Sequence, residues 1–273
     1  MLCGPHLDAA TIVAALPIDA VTWAATNPKL HASRRPSAGW LGEWDLHSNP
    51  LTSRLPDTRL ALPVSGVEGA FLVPNLLTIA ECTEMCALID TLGFDAGVEK
   101  VGTRPALRDN DACVIILPGT TCRELSRRLA ATIPMVGCAG AKRVEPCFVN
   151  RRTRCYRYSA DTSPPQSFRP HYDGSQHASA VIEGNAPRQQ ACRTMMSVLV
   201  YLSGDAREPA GGETLFYPQG AAGEAVVGVT PVAGSALCFW HGEHPDSPLH
   251  EGAPLLSGAA RKYVLRTDIL YAC

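Results

Sequence analysis

Hydrophobic and polar positions follow two different rhythms along this chain. In "TIAECTEMCALIDTLG", Ile79, Cys82, Met85, Cys86 and Ile89 recur at the three- and four-residue spacing of a helix face. Thr78, with Glu81 three positions later, forms a capping box at its start, and Gly93 supplies its stop. "TCRELSRRLAATIP" predicts a second helix. Thr121 and Glu124 repeat the capping box, Leu125, Leu129 and Ile133 line one face, and Pro134 ends it.

After residue 143 the rhythm shortens. Runs rich in Val, Tyr, Phe and Leu alternate with Gly, Pro, Asp and Ser turns. They predict strands near 145–150, 153–159, 168–173, 194–202, 213–217, 225–229, 235–241 and 261–271. Many short strands following helices give an α+β chain, mainly β: a sandwich or jelly roll over 143–273, with the helices of 65–140 packed outside it. Residues 1–64 read differently. Pro28, Pro36, Pro50, Pro56 and Pro63 interrupt every period, yet Trp23, Trp40 and Trp44 lie there. This predicts an irregular arm packed on the main domain, with one short helix near 8–16.

Composition narrows the class. The chain has 273 residues, 46% of them hydrophobic, and a net charge of −2, so no global field favours nucleic acid or an anionic membrane. The local exception is "RRTRCYR", with Arg151, Arg152, Arg154 and Arg157, which reads as a strand end with a solvated face rather than a nucleic-acid stripe. Eleven cysteines without a Cys-x-x-Cys pair read as free core thiols in a reducing compartment. The N-terminus lacks a basic region, and Asp8, Pro17 and Asp19 interrupt it. No signal peptide or membrane span is expected, and the expected location is cytoplasmic.

The chemistry centres on "FRPHYDGS". On a strand, His171 and Asp173 leave the same face and reach one small object, a metal ion being the first candidate. A third ligand could come from His177, His241, His244 or His250. Two imidazoles and one carboxylate would leave three coordination positions open, the arrangement of non-haem Fe(II) sites, whereas zinc favours a further His or Cys.

Five segments in a fixed order make residues 65–273 resemble the prolyl-4-hydroxylase-like branch of the 2-oxoglutarate and Fe(II)-dependent dioxygenases. They are "VEGAFLVPNLLTIAEC", "CYRYS" leading into "FRPHYDGS", "MSVLVYLS…GGETLFYP", "PVAGSALCFWH…LHEG" and "RKYVLRTDILY". The resemblance implies a double-stranded β-helix (jelly roll) with packed N-terminal helices. It implies His171, Asp173 and His250 as iron ligands, with His241 the main substitute. Lys262 would anchor the distal carboxylate of 2-oxoglutarate, and Tyr158 would donate to the same cosubstrate. Two extra residues separate His250 from Lys262 relative to the family's spacing, which makes Arg266, on the same strand face, the alternative anchor. The implied reaction hydroxylates a C–H bond with O₂ and releases succinate and CO₂, and the resemblance leaves room for ascorbate. A prolyl or other peptidyl residue is the favoured target, with small molecules also open.

Two other functions fit the same residues: a catalytically silent barrel that binds a ligand or protein partner, and a zinc hydrolase. No residue is obviously placed as general base for the latter. Gly211 and Gly212 predict a turn with positive φ. Arg108 and Asn110 in "LRDND" serve either a substrate groove or a structural loop. Specificity is expected from the loops 159–167, 174–192 and 203–211.

Overall fold

Thr78 opens helix α1 (Ile79–Leu92) as the sequence predicts. Its hydroxyl accepts the Glu81 amide at 3.1 Å, and its own amide donates to the Glu81 carboxylate at 2.7 Å. Gly93 closes the helix at φ 81°, a conformation that costs a glycine little. This computed structural model describes residues 61–94, 107–117, 119–134, 136–137, 143–144, 146–182, 188–207, 210–218, 227–256 and 258–272. The predicted helix at 8–16, and the arm up to residue 60, lie outside the described residues.

The predicted stripe on α1 is only partly right. Cys82, Met85 and Ile89 are buried, but Ile79 is 64% exposed, while the polar Glu81 is buried. The cause lies in helix α2 (Gly119–Leu129). Its Arg128 is fully buried and donates to both Glu81 oxygens at 2.8 and 2.9 Å, drawing that carboxylate inward. α2 also begins two residues ahead of Thr121, so the second predicted capping box does not form. Glu124 instead accepts from Arg127 and Arg128. Ile133 lies beyond the helix end, in a turn where the Thr132 amide bonds the Leu129 carbonyl at 2.8 Å.

The remaining described structure is β. The strands are β1 (Leu62–Pro63), β2 (Phe71–Val73), β3 (Asp111–Ile116), β4 (Val136–Gly137), β5 (Arg143–Val144), β6 (Pro146–Val149), β7 (Arg152–Tyr158) and β8 (Phe168–His171). They continue with β9 (His177–Ile182), β10 (Arg188–Tyr201), β11 (Thr214–Tyr217), β12 (Val227–Val229), β13 (Ala236–Trp240), β14 (Leu249–Gly252) and β15 (Lys262–Ala272). A large antiparallel sheet runs β1-β2-β13-β10-β15-β7-β3, with β6 also on β15 and β9 also on β10. A smaller one runs β12-β11-β14-β8.

The strands β1 to β5, β9 and β14 were not predicted. β3 lies in a stretch read as helical, β9 starts at a histidine assigned to a loop, and β14 holds His250. β14 is "LHEG", with a single Leu and no β-branched residue. Its strand character comes from pairing with β11 on one side and β8 on the other, not from local propensity.

Alternation gives the large sheet two different faces. One packs Cys113, Cys155, Val198, Val200, Cys238 and Leu265 with Met85, Ile89 and Leu125 of the helices. The other carries Tyr156, Tyr158, Tyr201, Leu237, Phe239 and Val264, packed with Phe216 of the smaller sheet. The described cysteines are free thiols, and burial pushes that of Cys82 up to about 12, as inert core groups should behave. No helix among the described residues is long and apolar enough to cross a membrane.

Candidate active site

The site forms on the inner face, where strands of both sheets meet. His171 ends β8, and its direct cross-strand partner is His250 on β14, so pairing sets the imidazoles side by side with ring centroids 4.3 Å apart. Asp173 is not on the strand as predicted, because β8 ends at His171. Its loop is held by the Gly242 amide, which donates to the Asp173 carbonyl at 2.9 Å. Gly242 has φ +71°, and a Cβ there would lie 1.8 Å from the Ser175 hydroxyl oxygen, so only glycine allows this approach. His171, Asp173 and His250 thus each offer one ligand atom, all within 4.8 Å of one another.

Hydrogen bonds leave the right atoms free. His171 Nδ1 lies 2.7 Å from the Arg169 carbonyl and His250 Nδ1 lies 3.1 Å from the Pro248 carbonyl. A carbonyl only accepts, so each Nδ1 carries the proton and each Nε2 keeps its lone pair. Burial, then the neighbouring His250, pushes the His171 imidazole down to about 4, and burial also lowers His250. Both rings are therefore neutral at pH 7, the form that binds a metal.

Asp173 has one engaged and one open oxygen. Oδ2 accepts from the Ser197 hydroxyl at 2.6 Å and lies 3.2 Å from Arg266 Nη2. Among the described residues Oδ1 accepts no hydrogen bond, and it lies 3.7 Å from His171 Nε2. Burial alone would raise this carboxyl. Arg266 and the two histidines outweigh it and hold it well below the usual carboxylate range.

His241 is no substitute ligand. It is buried behind Asp173, with Nδ1 2.8 Å from Ser197 Oγ and Nε2 3.0 Å from Thr194 Oγ1. Ser197 donates to Asp173 and so accepts from His241. The histidine thereby orients the hydroxyl that orients the ligand. A bulge between Thr194 and Met196 in β10 lies at this place. His177 opens β9, and His244 stacks on Trp240; neither is in the group.

Lys262 and Arg266 both line the cavity, but their states differ. Arg266 already pairs with Asp173 and with Asp268 at 2.9 Å. Burial pulls its guanidinium down, and these two carboxylates outweigh it and hold it above its ordinary value. Lys262 donates only to the Gly212 carbonyl, at 2.5 Å, and no carboxylate among the described residues pairs with it. Burial pushes its ammonium down to about 8, only partly offset by Glu213. Gly211 and Gly212 have the expected positive φ, and a Cβ on Gly212 would sit 3.1 Å from the Lys262 stem. Tyr158, opposite Lys262 in the β7–β15 register, holds its ring centroid 4.8 Å from Nζ. Burial raises its phenol well above the usual range, so the hydroxyl remains a donor.

One of these residues escaped the sequence reading. Ser197 is a lone polar position in the apolar run "MSVLVYL", and that interruption was its only signal. In "RRTRCYR", Arg152 and Arg154 are buried, not solvated, and Arg157 pairs with Asp90 and Asp111. A β-strand packed on both faces buries even its basic positions. Arg108 stacks over Phe168 and Tyr156 at 4.9 and 5.5 Å to the ring centroids.

Residues 153–267 match the family model of the 2OG-Fe(II) oxygenase superfamily. Among solved structures, a viral collagen prolyl hydroxylase from Paramecium Bursaria Chlorella virus-1 is similar at 16% identity. The match covers 76% of this chain and 97% of that one, with a TM-score of 0.42. A Pseudomonas putida prolyl-4-hydroxylase is similar at 16% identity over 74% of this chain and 91% of that one, with a TM-score of 0.44. An oxidoreductase of the 2OG-Fe(II) oxygenase family from Burkholderia pseudomallei follows at 13%, 75% and 84%, with a TM-score of 0.36. No curated protein matches the chain. The family match thus spans residues 153–267, and together with the His171, Asp173 and His250 group it supports a dioxygenase that uses Fe(II), 2-oxoglutarate and O₂.

Proposed function

We propose that this protein hydroxylates a C–H bond of an organic substrate, with His171, Asp173 and His250 holding Fe(II) and Lys262 anchoring 2-oxoglutarate. The observation that carries this reading is the convergence of three ligand atoms within 4.8 Å, each freed by a hydrogen bond on its other side. When bound, Fe(II) with 2-oxoglutarate and O₂ supplies the oxidant that puts one oxygen atom on the substrate carbon and the other into succinate, with loss of CO₂.

The chain's own residues do the rest. The two imidazoles present lone pairs without losing a proton. Ser197 and Arg266 hold one oxygen of Asp173, so that the other faces the metal. Lys262 presents a buried, charged donor to the far carboxylate of 2-oxoglutarate, and Tyr158 adds a phenolic donor beside it. The aromatic walls of Tyr156, Phe168 and Tyr201 exclude water and strengthen both contacts. We read the two facing sheets as a double-stranded β-helix and residues 65–273 as the dioxygenase unit. The motif resemblance favours a prolyl or other peptidyl target.

The test is direct. Anaerobic protein with Fe(II) and 2-oxoglutarate should develop a weak visible charge-transfer band, and air should then release succinate. His171→Ala and Asp173→Ala should each abolish both signals. Zinc-supported hydrolysis without succinate, or cosubstrate binding without turnover, would reject this reading.

A further inference from the structure

The inner face of the large sheet holds a cation that the reaction above does not use. Arg154 on β7 is 7% exposed, and among the described residues its side chain makes no hydrogen bond or ion pair, although Asp268 and Asp173 lie near enough to act on its charge. Val114, Arg154, Arg266 and Leu199 form one cross-strand row over β3, β7, β15 and β10. They therefore share a face, and Arg266 and Leu199 of this row line the cavity. Arg154 is thus the immediate neighbour of the guanidinium that touches Asp173.

A buried charge without a partner is costly, and a like-charged neighbour adds to the cost. Burial, and then Arg266, pull the Arg154 guanidinium below its ordinary value, and Tyr156, Asp268 and Asp173 offset this only in part. A second cation waits nearby. Arg108, stacked on Tyr156 and Phe168, has a buried Nε without a partner, and Arg266 Nε is likewise orphaned. Three guanidinium groups with unused donors around Tyr156 suit an oxyanion, and a planar fork suits a carboxylate.

That carboxylate is not the one Lys262 would hold. In the β7–β15 register Lys262 faces Tyr158 and Arg266 faces Arg154. Four residues of strand separate them, roughly 13 Å, with the triad beside the Arg266 end. Arg154 therefore lies past the metal ligands, on the side away from the cosubstrate anchor.

We propose that Arg154, assisted by Arg108, docks a carboxylate carried by the substrate near the carbon that is oxidised. The primary substrate is accordingly an acid, such as a free or N-acylated amino acid or a peptide presenting its C-terminal carboxylate, rather than a neutral mid-chain segment. This proposal rests on the dioxygenase reading and deepens it.

The experiment uses the full chain loaded with Mn(II) and N-oxalylglycine, a stable stand-in for 2-oxoglutarate. N-acetylated amino acids, proline included, and dipeptides ending in them are titrated as matched acids and primary amides by calorimetry. Acids should bind at least ~10-fold more tightly than their amides, the scale of a charge-assisted hydrogen bond. Arg154→Met should bring that ratio to about one, and Arg108→Gln should lower it. Because Arg154 has no partner to lose, Arg154→Met should also raise the melting temperature. Acids and amides binding alike, a preference that survives Arg154→Met, or a fall in melting temperature would overturn the proposal. Should Arg154→Met not fold, that counts as the fall in melting temperature. Failure to load Mn(II) and N-oxalylglycine would instead reject the dioxygenase reading, and the proposal with it.

Discussion

Two sets of buried charges lie on opposite faces of the same sheet, and they are satisfied differently. On the helix side, Arg128 is clamped by Glu81 and Glu124 at 2.8 Å each and bonds the Leu76 carbonyl at 2.9 Å. Arg127 completes the group on Glu124, whose carboxyl burial would raise but the two arginines bring down to about 2. Every charge there is matched within the protein. On the inner face, Asp173 and Asp268 are matched by Arg266, but among the described residues Lys262 has only a carbonyl and Arg154 no hydrogen bond or ion pair. The first set joins α1 to α2. The second is incomplete by itself, and its unmatched cations mark where anions from outside belong. Burial of charge does not distinguish a structural group from a binding site; pairing does.

Breaking the matched set should cost most. Arg128→Met takes the counter-ion from the buried Glu81 and leaves Arg127 on Glu124, and stability should fall by about 3–5 kcal/mol, read as a shift in the denaturant midpoint. The same change at Lys262 removes no ion pair. Lys262→Met should keep or raise the melting temperature while abolishing saturable dependence on 2-oxoglutarate, and a large stability loss would show that the lysine serves the fold.

pH sharpens the contrast. In the unfolded chain Lys262 keeps its proton up to its ordinary 10.5, in the fold only to about 8. Between those values the unfolded chain binds more protons, so the lysine's penalty is relieved and stability climbs as pH rises. That gain is of the order of 3 kcal/mol, absent in Lys262→Met, and it disappears in the presence of 2-oxoglutarate. Affinity for the cosubstrate should decline over the same window, because the ammonium is what binds it.

The smallest expected effect concerns Asp173, a matched carboxylate of the inner face. Ser197→Ala frees Asp173 Oδ2 and strands the His241 Nδ1–H. Mn(II) affinity should weaken ~10–100-fold, with Ser197→Thr restoring much of it. An unchanged affinity in Ser197→Ala would mean that Arg266 alone fixes the carboxylate.

The helix α1, its two caps and about half of the strands were legible in the chain itself, because capping and period are local properties. The pair His171 and Asp173 stood out by type and spacing, and the family resemblance singled out His250, which the structure brings beside them. Three things needed the tertiary structure. β14 exists because two neighbours supply its hydrogen bonds, so no propensity announces it. Glu124 looks like a cap in sequence, yet it serves Arg128, because a buried guanidinium offers a stronger partner than a backbone amide. And Lys262, Arg266 and Arg154 are one residue class in the sequence. Which of them is spent on Asp173, and which still lacks an anion, follows from distances across strands that lie far apart in the chain.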